Sequence, residues 1–222
     1  MMKIDKKLLV LTSLIILLPV LLGCFFWSQL PKTIATHFDL SGQANGFSSR
    51  LFAVFGLPFF LLLLHWFCLF MTSKDPKANN VSSKMRRLIY WIIPMVSCFV
   101  MISIYGQAFG YMINHALIAN LLIGLLLITI GNYMPKTRRN YTIGIRLPWT
   151  LDNDENWNKT HRLAGKLWVG GGVLIFINAF VQIAILQVFV IVLAVMIVLP
   201  ILYSFILNQK KKYRKLILQS LC

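Results

Sequence analysis

Residues 167–207 are 41 consecutive residues without a charged side chain. No soluble core of a chain this size hides so long an apolar run, so lipid has to be its solvent. A helix crosses a bilayer with about 20 apolar residues. The run is therefore too long for one span and right for two, with a tight turn near residues 182–187. Four further runs of spanning length come before it, at 8–27, 51–71, 88–113 and 116–134. The pattern predicts an all-α polytopic membrane protein: a single integral membrane domain over residues 1–222, with six transmembrane helices, the last two at 167–184 and 187–207. A hydrophobic content of 58% and a mean hydropathy of +0.74 agree with this.

The formal net charge is +16. In a soluble protein that would suggest nucleic acid, but here the placement of the charges accounts for it. The N-terminus carries Lys3, Lys6 and Lys7. The segment between the second and third helices carries Lys74, Lys77, Lys84, Arg86 and Arg87. The segment between the fourth and fifth carries Lys136, Arg138, Arg139, Arg146, Lys159, Arg162 and Lys166, and the tail carries Lys210, Lys211, Lys212, Arg214 and Lys215. That is twenty of the 22 basic residues; the alternate loops hold only Lys32 and Arg50. By the positive-inside rule both termini lie in the cytoplasm of a multi-pass cell-membrane protein. Membrane lipids are then its surroundings, and direct nucleic-acid binding is not expected. The basic tail follows the last span as a stop signal or as an anchor to anionic lipid.

No Asp, Glu, Lys or Arg lies inside the spans, which argues against a proton-coupled carrier. His65 is the ionisable side chain well inside one, read as a neutral ring bonded to a neighbouring helix or as a proton or ligand site. Asn120, Asn132, Asn178 and Gln182 are candidate interhelical partners. No cofactor, metal or catalytic residue is expected: zinc and nucleophile-elbow motifs are missing. His37 and Asp39, two apart, form a weak metal alternative. Cys24, Cys68, Cys98 and Cys222 are read as reduced packing residues. "LLGC" at 21–24 resembles a lipoprotein processing site, but the apolar run continues through Trp27, as a spanning helix should.

Two polar segments remain. The extracytoplasmic loop 30–50 has turn signals at Pro31, Gly42 and Asn45-Gly46 and an alternating "TIATHF", which predict a small hairpin, either a lid on the bundle or a recognition surface. The cytoplasmic motif loop 135–166 is denser. Pro135 ends the fourth helix. "NYTIGIRLP" alternates as extended chain, with Gly144 free to adopt unusual dihedrals. Asp152 and Glu155 are spaced as a capping pair for a new helix. That helix sets Trp157, His161, Ala164 and Trp168 in one stripe and runs on into the fifth span. Arg146, aimed by Gly144 and Pro148-Trp149, is expected to clamp Asp152, Asp154 or Glu155, or nearby carbonyls.

The block "GNYMPKTRRNYTIGIRLPWTLDNDENWNKTHRLAGK" at 131–166 resembles the signature of the SdpI family of bacterial membrane proteins. The matching positions are Asn132, Pro135, Asn140, Gly144, Arg146, Pro148, Trp149, Thr150, Trp157, Thr160, His161 and Gly165. Leu147 departs from it, standing where a small polar residue, usually Thr, is expected. The "THFDLSGQANGF" of the outer loop resembles a second segment, of unassigned function, that often precedes the signature. The resemblance implies a non-enzymatic immunity protein that protects its producer from a secreted peptide toxin met at the outer face. It also implies a receptor role, in which toxin binding lets the protein hold a cytoplasmic helix-turn-helix repressor. Asn140, Gly144, Arg146, Pro148, Trp149, Trp157, His161 and Arg162 on the inner block, with His37 and Asp39 outside, are the expected contacts. Alternatives are a small permease or transporter accessory subunit and, more weakly, a membrane enzyme using His37, His65 or His161.

Overall fold

The computed structural model describes residues 4–39 and 42–220. Lys3, Cys222 and the side chains of Arg214 and Lys215 lie outside the described residues. In chain order the elements are α1 (Lys6–Phe25), β1 (Thr33–Phe38), β2 (Ala44–Ser49), a π-helical turn (Phe52–Gly56) leading into α2 (Leu57–Lys74), α3 (Ser83–Ala108), α4 (His115–Tyr133), α5 (Pro148–Leu151), α6 (Asp154–Val181) and α7 (Ile185–Ser220). Six of the helices are long and apolar enough to cross a membrane: all except α5. Their outward faces expose Leu21, Phe60, Phe67 and Ile191, as lipid contact requires.

Helix ends follow local chemistry. Asp5 caps α1 by accepting the Leu8 N–H, Ser82 caps α3 through Met85, and Asn114 caps α4 through Leu117. Before α2, the Leu57 N–H reaches back five residues to the Phe52 carbonyl. The wider turn accommodates Pro58, which has no N–H to continue an α ladder. α6 ends where Gln182 turns left-handed (φ +55°), and the chain reverses within residues 182–184.

Two helical groups make the bundle. α1, α2 and α3 enclose a core with the hairpin β1–β2, in which Leu30 and Ile34 meet Val54, Met101 and Tyr105. The two strands pair antiparallel, Thr33 opposite Ser49 and Phe38 opposite Ala44. Arg50 fastens the base of the hairpin by donating to the Trp27 and Leu30 carbonyls, with its guanidinium over the Trp27 ring. In the second group α4, α6 and α7 bury Leu127, Ile175, Val192 and Met196. Here α4 and α6 approach backbone to backbone at two levels. A Cβ on Gly172 would fall 2.8 Å from the Gly124 carbonyl oxygen, and one on Gly165 would fall 2.8 Å from that of Gly131. Close approach of small residues is how helices associate where lipid removes the hydrophobic incentive.

α3 and α4 join the groups along a sparse seam that is clamped at both ends. At the hairpin end Phe38 stacks on His115, ring centroids 3.6 Å apart. At the motif end the segment after α2 is tied to residues 139–142.

The structure corrects several sequence expectations. α3 covers Ser83–Ala108, displaced from 88–113, because Ser82 supplies the cap and Gly110 (φ +84°) follows its end. Lys84, Arg86 and Arg87 thus lie in the first two turns and not in a loop. "NYTIGIRLP" is not a strand: its backbone bonds to buried side chains in place of a ladder. Asn153, not Asp152, caps α6, accepting the Glu155 N–H, while Asp152 closes α5. α7 continues as helix to Ser220, well past 207. Asn120 bonds its own helix at Ala116, and Asn178 accepts from Ile183 beyond the end of α6, so neither bridges helices as expected. His65 does: it is fully buried and its Nε2 lies 2.9 Å from the Thr12 hydroxyl of α1.

Candidate functional site

The motif block is a knot of buried polar groups. After the 3-10 turn Met134–Lys136 the chain has no regular ladder, and its backbone groups need partners. Asn140, fully buried, supplies them. Its Oδ1 accepts from the Thr142 and Ile143 N–H groups at 3.0 and 2.6 Å, and its Nδ2 donates to the Arg138 carbonyl. Asp75, at the end of α2 and 3% exposed, accepts from the Lys77 and Tyr141 N–H groups and from the Thr142 hydroxyl, at 2.6 to 2.8 Å. Burial pushes the Asp75 carboxyl up, but these hydrogen bonds, the Thr142 hydroxyl first, outweigh it and hold the group below its ordinary value.

Gly144 follows with φ +110°, and a Cβ there would run into His161 Nε2. The close approach lets that nitrogen accept the Ile145 N–H at 3.0 Å. Nδ1 of the same ring lies 2.8 Å from the Trp157 carbonyl, so Nδ1 carries the proton; the partners assign the tautomer. His161 stacks on Trp157, centroids 4.0 Å apart, and Trp157 donates its Nε1–H to the Thr137 carbonyl. Thr150 accepts the Leu147 N–H at 2.9 Å. Leu147 itself stands at the N-cap of α5, where a Thr hydroxyl would cap and a leucine cannot.

The knot is fastened to α7 as well. Trp149 Nε1 donates to the Ser204 hydroxyl, and Asn156 Nδ2 donates to the Ser204 carbonyl, both at 2.9 Å. Thr160 donates to Asn156 Oδ1.

Of the residues expected to act, Asn140, Trp157 and His161 lie in one buried network, Gly144 touches His161 from its exposed edge, and Trp149 joins it through α7. Arg146, Pro148 and Arg162 are exposed around it. Arg146 is shown on none of the three carboxylates: of the expected partners it meets a nearby carbonyl, donating to that of Tyr141 from the surface. The arginine that reaches a carboxylate is Arg139, half-buried, with Nε 2.9 Å from Asp154 and Nη1 on the Leu151 carbonyl. Sequence reasoning missed Asp75, Arg139 and Ser204. For Asp75 there was one signal: a lone acid before a proline, in a segment otherwise basic.

His37 and Asp39 stand at the opposite end, exposed on the hairpin. Beneath them a cavity of about 300 Å³ lies in the seam, walled by β1, α3, α4 and the start of α7. His115 is fixed in its wall: Nδ1 accepts the Ser103 hydroxyl at 2.6 Å and Nε2 donates to Gln107. His37 pairs with Asn45, and among the described residues no group of three or more His, Cys, Asp or Glu is placed to hold a metal.

These features define a multi-pass cell-membrane protein: two helical groups, a buried polar knot at one end of their seam and a cavity at the other. Residues 136–204 match the SdpI/YfhL protein family, and residues 14–62 match a domain of unknown function, DUF1648. The chain is 25% identical over 175 residues to "Immunity protein SdpI" of Bacillus subtilis (strain 168), an alignment covering 77% of this chain and 81% of that protein. No solved structure matches. The chain is thus similar to the SdpI/YfhL protein family over its motif block and last two spans, and to an immunity protein over most of its length.

Proposed function

We propose that the protein gives its host immunity to a secreted, membrane-active peptide toxin, which it meets on the hairpin side of the bilayer. One observation carries the reading: the similarity to an immunity protein covers 77% of the chain, enough to include spans and motif knot together. On this reading the hairpin end is extracytoplasmic and the motif end cytoplasmic, as the segregation of twenty of the 22 basic residues favours.

The motif end then has two tasks. Its buried network braces α2, α6 and α7, and its exposed rim, with Arg138, Arg146 and Arg162, offers a basic surface to a cytoplasmic partner such as a helix-turn-helix repressor. The test is survival. Expressed in a sensitive bacterium, the protein should protect against medium conditioned by the producing organism. Unchanged killing, with the protein present in the membrane, overturns the reading. A reporter under the immunity operon's own promoter separately tests the partner: toxin should induce it with the parent protein and not without it.

A further inference from the structure

We infer that the cavity beneath the hairpin is where the toxin binds, and that it takes an apolar side chain of a cationic peptide. The inference rests on the immunity reading and adds the site and the chemistry of the ligand. The cavity is no packing defect inside one helical group. It lies in the seam between the two, and its walls include the stacked Phe38 and His115 together with Ile123 and Phe189. About 300 Å³ is the lower end for ligand clefts, which suits a side chain or two and not a whole lipid.

Two features favour a peptide over a lipid chain. First, β1 lines the cavity and pairs with β2 along one edge; its other edge has no strand partner among the described residues, so backbone hydrogen-bonding groups adjoin the apolar walls. Second, the rim carries Asp39, the sole acidic residue between Asp5 and Asp75, and no other segment at this end holds one. A carboxylate beside an apolar cavity complements a ligand that is apolar and positively charged together. Membrane-active amphipathic peptides have that composition.

The experiment uses the full-length protein in cells, and the killing peptide purified from conditioned medium by its activity on cells lacking the protein. Ala119 lines the cavity, and Ala119→Phe fills it. The expected result is about a tenfold or greater loss of protection, equivalent to about 1.4 kcal/mol of binding, at parental membrane abundance and thermal midpoint. Asp39→Asn keeps the acceptor for the Gln43 N–H and removes the charge. It should weaken protection by a smaller factor, more at low ionic strength than at high. A photo-crosslinking residue at Ile123 should capture the peptide, and one at the lipid-facing Phe60 should not. Full protection by Ala119→Phe, or an adduct at Ile123 that is lipid only, overturns the site while leaving immunity standing. If the parent protein gives no protection, both readings fall. If Ala119→Phe does not accumulate, the adduct formed at Ile123 decides.

Discussion

At position 144 the chain needs a residue that tolerates φ +110° and leaves room for an imidazole nitrogen, and only glycine does both. Gly144→Ala should cost about 1–3 kcal/mol from backbone strain and the displaced His161, read as a lowered thermal midpoint in detergent with insertion unchanged. Asp75 offers a pH-dependent counterpart. Its folded pKa is depressed, so its contribution is complete above the unfolded value of about 3.9 and is lost as pH falls through the lower folded value. The parent should therefore hold its midpoint from pH 7 to 5 and lose this contribution below about pH 4. Asp75→Asn places an NH₂ against N–H donors and should cost about 1–3 kcal/mol at pH 7; it should then flatten the acid limb of the profile. A parental midpoint at pH 7 would mean that the carboxylate does not hold the knot. Arg146→Lys, touching one carbonyl from the surface, should leave the thermal midpoint nearly unchanged, whereas Arg139→Ala removes the partner of the Leu151 carbonyl and should lower it more, with little contribution from the exposed Asp154 carboxylate. The stripe of Trp157, His161 and Ala164 was legible because helical spacing puts these residues on one face. Asp75 was not, because its partner Tyr141 is 66 residues away, and a lone acid before a proline does not say what it binds.

α4 and α6 form the closest pair of elements, and the contact depends on the absence of side chains. Gly172→Leu would force a branched side chain against the Gly124 carbonyl and the backbone of Ile128. Overpacking of this kind costs about 1–3 kcal/mol, measurable by unfolding in mixed detergent micelles. Gly170→Leu is the matched control, because a Cβ there meets nothing within 4 Å. Equal midpoints for the two variants would show that the helices are not in backbone contact. Apolar runs located all six spans, since lipid demands them, but they did not locate the ends. α3 starts five residues before its apolar run because Ser82 can cap it, and α6 starts at Asp154 because Asn153 does. Capping is decided by one side chain and one N–H, and several candidates were equally good by sequence; Asp152 was one.

For the whole molecule the prediction is topological. Reporter fusions after Gln43 should read as external, and fusions after Asn80, Asp154 and Gln219 as cytoplasmic. An external signal after Asp154 would put the knot on the wrong side for a cytoplasmic partner. The charge segregation behind this prediction was fully legible, because each basic cluster borders a span. The cavity was not, because it is built from four elements that only the tertiary fold assembles. The same holds for Ser204, the single serine of an apolar run, which proves to be where the knot grips α7. Beyond that grip α7 runs on as helix to Ser220, about 24 Å at 1.5 Å per residue. The extension is a lever arm with its fulcrum at Ser204. A change of about 10° in the tilt of α7, well within the range helices adopt in bilayers, would swing the far end by roughly 4 Å. Ile185 and Phe189 at the opposite end of the same helix wall the cavity, so a guest lodged there would push on the other arm of that lever, which is of similar length.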